Sequence, residues 1–147
     1  MDGQFAVRIV VRSYEVDANQ HVNHAIYHRY GEHARTEHLA AAGCSMARLV
    51  ERGMGIVLLE THVRFLRELR HGDDVEIDSR IAFGAGKTFE MAHTLRRADG
   101  VVAAEISCRM GLLDAAARRL LAEPRERLSE IATDPGLIGA HAHPDFA

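Results

Sequence analysis

Hydrophobic and polar residues alternate in five segments of the chain, which is the pattern of β-strands with one buried face. The predicted strands cover about residues 4–13, 56–65, 75–83, 89–95 and 102–112. In the second strand, the predicted buried face carries Val57, Leu59, Thr61, Val63 and Phe65. After the first strand the pattern changes, and from about Ala25 to Ala42 the hydrophobic residues recur with a helical period. One long helix followed by four consecutive strands is therefore expected.

Residues at the ends of the long helix support its boundaries. Asn23 is a typical N-terminal cap, and Gly43 can adopt the left-handed backbone that often ends a helix. A shorter helix is expected from Arg125 to Ala132, after Pro124, and a short strand extension at residues 120–121. This order predicts the α+β class, with an antiparallel sheet of five to six strands wrapped around one long central helix. Such a sheet has open edges, so pairing with a second copy is expected.

Composition narrows the class of protein. The 147 residues, 47% hydrophobic and with a net charge of −3, suit one domain, expected at residues 1–134 with a short C-terminal tail at 135–147. The charge disfavours nucleic-acid binding, and no segment has the roughly 18 apolar residues of a membrane span. The first residues lack the features of a secretory signal, and Cys44 and Cys108 are too few for a disulfide framework. A cytoplasmic protein with two free thiols is expected.

A polar cluster lies between the first strand and the long helix. It contains Glu15, Asp17, Asn19, His21 and Asn23. The first amides of a helix lack partners within the helix and carry partial positive charge, so they can polarise a carbonyl and stabilise an oxyanion. A carboxylate beside them can attack that carbonyl or activate water. The spacing permits acyl-transfer chemistry, although Asp and Asn before a helix also serve simply as caps.

The same segment resembles the signature of the hotdog-fold thioesterases of the 4-hydroxybenzoyl-CoA thioesterase type. That family shows an aspartate, a short loop ending in His-Val-Asn-Asn, and a helix with the pattern Tyr-x-x-Tyr-x-x-x-Ala-Arg. This chain has Asp17, His21-Val22-Asn23-His24, Tyr27, Tyr30, Ala34 and Arg35. The predicted order of elements also matches the family over about residues 4–122. The resemblance implies the hotdog fold.

The resemblance also implies roles for the matching residues. Asp17 would be the catalytic carboxylate, acting as nucleophile or as general base for water. The backbone amide of His24 would be the second catalytic group, holding the carbonyl oxygen. His21, Asn23 and Tyr27 would form the substrate-binding loop and helix start.

Three positions depart from the family pattern. Gln20 replaces the usual glycine before His-Val-Asn, His24 replaces the second asparagine, and Glu15 stands where aspartate is common. Because His24 would act through its backbone, the exchange does not remove the donor. Gln20 is expected to reshape the loop, since glycine reaches positive φ at little cost.

Basic residues elsewhere are candidates for binding an anionic CoA or carrier-protein arm. Segment 84–89, GAGKTF, resembles the family's loop before the fourth strand, where CoA phosphates are contacted, and Lys87 and Thr88 match it. The alternative is a flexible hairpin loop with a solvated lysine. In the basic run of residues 64–70, Arg64 could help to bind the same arm, although such runs are more often solvated strand ends.

The histidines do not predict a metal site. His24 and His28 have a four-residue spacing that suits one face of a helix, but a third ligand and the glutamate of His-Glu-x-x-His are missing. No metal is expected, and the chemistry needs no cofactor.

Together these features predict an acyl thioesterase that hydrolyses an acyl-CoA or acyl-carrier-protein thioester to a carboxylic acid and a thiol. The resemblance implies sites at dimer interfaces, so a homodimer or homotetramer is expected. Two alternatives stay open. One is an enoyl-thioester hydratase, which uses Asp and His on a similar loop, although His21 comes one residue too early for that pattern. The other is a non-catalytic subunit that binds acyl thioesters.

Overall fold

Alternating side chains build the sheet of this protein, whose computed structural model describes residues 4–139. The elements are β1 (Gln4–Val10), α1 (His24–Ala42), α2 (Met46–Glu51), β2 (Met54–Phe65), β3 (Asp74–Phe83), β4 (Thr88–Arg97), β5 (Val102–Asp114), β6 (Arg119–Leu120) and α3 (Pro124–Ile131). Two single-turn 3₁₀ helices lie at Ser13–Glu15 and Pro135–Leu137. None of the helices within residues 4–139 is long and apolar enough to cross a membrane.

All strands belong to one antiparallel sheet. Their order is β1-β3-β4-β5-β2, with β6 beside β5, so β1 and β2 form the edges of the main path. The inner face packs on α1 and is apolar: Ile77, Met91 and Ile106 are buried there. The outer face carries polar residues such as Glu76 and Glu105. The predicted α+β architecture, a sheet wrapped around one long helix, is confirmed.

The predicted caps of α1 are also confirmed. The Asn23 side chain accepts a hydrogen bond from the Ala25 amide at 2.9 Å, and Gly43 ends the helix with a φ of 93°. Between the caps, Tyr30, Ala34 and other residues of one helical face are buried against the sheet. The helix therefore begins directly after the polar cluster, where the sequence places it.

A β-bulge changes which side chains of β2 face the helix. The pairing with β5 shifts register between Leu58 and Glu60, so Leu58 lies opposite the buried Met110. The predicted face is correct for Thr61, Val63 and Phe65 and wrong for Val57, because the extra residue turns the strand by one position. Ile56 and Leu58 face the helix instead.

Three local features differ from the prediction. The first strand ends at Val10, and the next residues bend into the 3₁₀ turn. The helix α2 was not predicted, because six residues are too few for a helical period; the Ser45 hydroxyl caps it by accepting from the Arg48 amide. In the predicted tail, Ile138 is buried and the Leu137 carbonyl bonds His38 of α1. Residues 140–147 of that tail lie outside the described residues.

Candidate active site

A closed loop between the first 3₁₀ helix and α1 carries Asp17. The Asp17 amide donates to the His21 carbonyl at 2.9 Å, and the Gln20 amide donates to the Asp17 carbonyl at 2.9 Å. The Asp17 Oδ1 accepts from the Asn19 amide at 2.9 Å, while the Val22 amide donates to the Leu69 carbonyl at 2.8 Å. These bonds hold an exposed carboxylate on a loop whose backbone is tied to the segment after β2.

Gln20 adopts the left-handed backbone conformation that this tight loop requires. Its φ is 64°, a value that costs a non-glycine residue about 1–2 kcal/mol. The loop therefore keeps the left-handed conformation that glycine would adopt freely. The expected change of loop conformation at Gln20 is not observed. The exchange is instead a local strain beside Asp17.

Glu15 is buried between the loop and α1 and holds the loop in place. Its buried carboxylate accepts from the Arg12 amide at 2.8 Å, from the Tyr30 hydroxyl at 2.9 Å and from the Arg12 guanidinium at 3.2 Å. Its carbonyl also accepts from the Asn23 amide at 2.9 Å. Burial, followed by the bond to Glu15, raises the pKa of Tyr30, so its phenol stays protonated as a donor. Glu15 thus fixes the loop relative to α1 rather than serving as a second exposed acid.

The first amide of α1 is available to a ligand. Asn23 occupies the cap position: its side chain accepts from the Ala25 amide, and its carbonyl accepts from the Ile26 amide at 2.9 Å. The His24 amide, at the first helical position, has no acceptor among residues 4–139. Such an amide is a donor of the kind that stabilises an oxyanion.

Asp17 and His24 line the same open cleft, which has a volume of about 360 Å³. The other lining residues are His21, Val22, Tyr27, Phe65, Leu66, Arg67 and Glu68. Tyr27 packs edge-on against Phe65, with ring centroids 5.0 Å apart, and burial raises the pKa of its phenol. The structure therefore brings together Asp17, His21, His24 and Tyr27, with Asn23 as the adjacent helix cap.

Phe65 and Glu68 are among the cleft residues that the sequence did not mark as site residues. Phe65 ends β2 on its inner face, and Glu68 follows it at the rim. Hydrogen bonds from its own backbone amide and from Arg70 lower the pKa of the exposed Glu68 carboxyl. No local signal marks either residue, because both reach the cleft through the pairing of the 66–73 segment with the Asp17 loop.

Arg64 does not reach this cleft within one chain. It precedes Phe65 on β2, and neighbouring strand residues point to opposite faces. Its guanidinium lies on the outer face and pairs with Glu105 at 3.2 Å. The prediction that Arg64 contacts substrate here is therefore not met in a single chain.

Lys87 and Thr88 lie at the opposite end of the sheet from Asp17. Thr88 begins β4, whereas Arg97 ends it and bonds the Glu68 carbonyl at the cleft. The ten residues of β4 span roughly 30 Å. Lys87 and Thr88 therefore do not line the Asp17 cleft of their own chain, and their contact with the substrate stays a prediction.

The described part of the chain contains no group of three or more histidine, cysteine, aspartate or glutamate residues arranged to hold a metal ion. Both cysteines are free, as predicted, and both are buried. The cleft itself supplies a carboxylate, a backbone donor and the neighbouring His21.

Comparisons with known proteins identify relatives. Residues 11–132 match the model of the thioesterase-like superfamily. A protein of Aquifex aeolicus named "Putative esterase" is 30% identical over 99 residues, which are 67% of this chain and 77% of that protein. The acyl-acyl carrier protein thioesterase ATL3 of Arabidopsis thaliana is 34% identical over 76 residues, 52% of this chain, but the match spans only 40% of that relative's length.

The fold has close counterparts among solved structures. A hypothetical protein from Staphylococcus aureus, solved in complex with CoA, aligns with a TM-score of 0.81 and 23% identity. The alignment covers 99% of this chain and 92% of that protein. At this identity the likeness concerns the fold, which agrees with the predicted hotdog architecture.

Proposed function

The chain belongs to the thioesterase-like superfamily, and from this premise we propose that it is an acyl thioesterase. It hydrolyses an acyl-CoA or acyl-carrier-protein thioester to a carboxylic acid and a thiol. The observation that carries the proposal is the pairing of the Asp17 carboxylate with the unpartnered His24 amide in one cleft. The named activities of the relatives support the same reaction.

We propose complementary roles for these two groups. The thioester carbonyl oxygen accepts from the His24 amide, which stabilises the negative charge of the tetrahedral intermediate. Asp17 either takes a proton from the attacking water or attacks the carbonyl itself to form an anhydride that water then hydrolyses. In both routes the carbon–sulfur bond breaks, and the leaving thiolate takes up a proton. Only one oxygen of Asp17 is engaged by the loop within residues 4–139, so the other can act.

The substrate carrier is proposed from chemistry and from relatives. CoA and carrier-protein arms both end in phosphopantetheine, whose phosphate suits a basic rim such as the exposed Arg67. One related structure holds CoA, and one relative is named for acyl carrier protein. His21, Asn23 and Tyr27 shape the loop and helix start that receive the thioester.

We further propose that a second copy completes the site. An antiparallel, twofold pairing of β2 with the partner subunit's β2 would place the Phe65 end of one strand beside the Met54 end of the other. The Lys87 hairpin lies at the Met54 end, because Thr88 and Val57 both pair with Gly111. The partner subunit's Lys87 would then approach the Asp17 cleft, which the Lys87 of the same chain does not reach. Arg64 pairs with Glu105 on the outer face, and its contact with the substrate stays a prediction.

A thiol-release assay with acyl-CoA and acyl-carrier-protein substrates tests the proposal. Wild-type protein should release thiol, and Asp17→Asn should lower kcat by about a hundredfold or more, because the carboxylate is removed while the loop bond to Asn19 can persist. Asp99→Asn is the matched control: it changes an exposed aspartate that pairs with Arg97, and its rate should stay near wild type.

Three results would contradict this assignment. Wild-type rates in Asp17→Asn would remove Asp17 from the mechanism. Hydration of an enoyl-CoA without thiol release would identify a hydratase that uses Asp17 and His21. Tight acyl-thioester binding without turnover would identify a binding subunit.

A further inference from the structure

An apolar cavity lies between α1 and β2, beyond the Asp17 cleft. Its volume is about 420 Å³. Its lining includes the apolar side chains of Leu39, Met46, Leu49, Ile56, Leu58 and Met110. Ile56 and Leu58 face it because of the bulge in β2. The cavity is of the size and character that binds an apolar chain.

One wall of this cavity is a buried cation. Arg35 is only 8% exposed, and among residues 4–139 its guanidinium makes one hydrogen bond, from Nη1 to Cys108 Sγ at 3.1 Å. No carboxylate of residues 4–139 forms an ion pair with it, and Glu32 at the cavity rim is exposed. A guanidinium has five N–H donors, and a buried charge without a counter-charge is unfavourable.

The neighbour of Arg35 inside the protein cannot neutralise it. His93 is fully buried, its Nδ1 bonds the Asp78 carbonyl at 3.1 Å, and its Nε2 has no partner in the described chain. A neutral imidazole supplies no negative charge. The acceptors for the other guanidinium nitrogens therefore come from water or from a group that enters the cavity.

The cavity and the Asp17 cleft lie along the same side of α1. His24, His28, Arg35 and Leu39 are spaced so that they share one helical face. The Arg35 Nη1 lies level with Gly31, since a Cβ built on Gly31 would be 3.2 Å from it. Gly31 follows His24 by seven residues, so the guanidinium is about 10 Å along the helix from the oxyanion donor.

We propose that Arg35 is a specificity-determining residue that binds a carboxylate at the far end of the acyl chain. The inference rests on the proposed thioesterase function and names its substrate class: acyl thioesters whose medium-length chain ends in a carboxylate. The apolar part of the chain fills the cavity, and the terminal carboxylate accepts from the Arg35 guanidinium. Guanidinium–carboxylate pairs are among the strongest hydrogen-bonded contacts when they are shielded from water.

The test compares the mono-CoA thioester of decanedioic acid with decanoyl-CoA, which lacks the terminal carboxylate. Wild-type protein should favour the carboxylate-ended substrate by about tenfold or more in kcat/KM. Arg35→Met should bring that ratio to about one or below, and Arg35→Lys should retain part of the preference because it keeps the charge. Arg29→Met, an exposed arginine of the same helix, should retain the wild-type ratio.

The experiment also separates this inference from the proposed function. If wild-type protein hydrolyses neither these two thioesters nor the other acyl-CoA and acyl-carrier-protein substrates, the thioesterase proposal fails. Calorimetric affinities of wild-type protein for the same two compounds then decide the role of Arg35. Thermal melts establish whether each variant is folded. If Arg35→Met does not fold, the substrate preference of Arg35→Lys is compared with that of wild-type protein instead. Equal use of both compounds by wild-type protein overturns the inference. The inference is also overturned if Arg35→Met converts a dimer into monomers and lowers kcat/KM equally for both compounds. Arg35 would then pair with the partner subunit.

Discussion

At the scale of single residues, His93 couples the stability of the protein to pH. Its imidazole is buried on β4, and burial, followed by the charge of Arg35, lowers its pKa to about 3. In the unfolded chain the same group titrates near 6.5. Below that pH the unfolded chain binds a proton that the folded protein does not. Acid therefore favours unfolding.

The free energy of unfolding should fall as the pH is lowered from 6.5 towards 3, with no contribution from His93 above this window. The slope from His93 alone is at most about 1.4 kcal/mol per pH unit. Burial also lowers the pKa of His38, which adds a loss of the same sign. Urea unfolding at a series of pH values measures the slope, and His93→Asn should make it shallower.

His62→Asn provides the control, because His62 is exposed on β2. Its slope should match that of wild-type protein. An unchanged slope in His93→Asn would show that His93 is protonated in the folded state.

At the scale of elements, Gly43 joins the end of α1 to the segment after α3. Its φ of 93° needs the left-handed region, and a Cβ there would lie 2.5 Å from both the Thr133 amide nitrogen and hydroxyl oxygen. The Thr133 amide donates to the Ala42 carbonyl at 2.9 Å. The glycine therefore allows both the turn and the close approach of two elements.

Gly43→Ala should destabilise the protein by about 3 kcal/mol, because backbone strain and a steric clash act together. Gly53→Ala separates the two effects. Gly53 has a φ of 71°, and a Cβ there would have no atom within 4 Å, so a loss of about 1 kcal/mol is expected. Urea unfolding of both variants gives the comparison. Equal losses would mean that Thr133 moves away freely and that the contact contributes nothing.

At the scale of the whole molecule, the two edges of the sheet differ. β1 is short, with seven residues, whereas β2 has twelve and exposes Leu58, Leu59 and Phe65. Long apolar edges favour pairing with another strand. β2 is therefore the edge at which we expect a second copy, and its end at Phe65 borders the Asp17 cleft.

Leu59→Lys should shift the protein from dimer towards monomer, because it puts a charge on the bulge of this edge. Val10→Lys places the same charge on the other edge, at an exposed valine, and should leave the dimer intact. Light scattering after size-exclusion chromatography measures the mass, and thiol release measures activity. A monomeric Leu59→Lys variant with full activity would show that one chain holds a complete site.

Much of the candidate site follows from residues that are close in the chain. Asp17, His21, Asn23 and His24 are neighbours, so the loop and helix cap could be predicted from their types and spacing. Arg64 shows the limit of such reasoning. Its basic neighbours suggested a substrate contact, but the pleat turns it away from Phe65 and towards Glu105.

Periodicity and capping residues determine the strands and the long helix, because the preference for each is set by side chains a few positions apart. Packing and register decide the rest. The bulge at Leu59 selects which apolar residues of β2 line the cavity, and the fold buries Ile138 in a segment that reads as a tail. The approach of Arg35 to that cavity depends on contacts distant in sequence. No local pattern encodes them, because their energies exist only once the sheet has closed around α1.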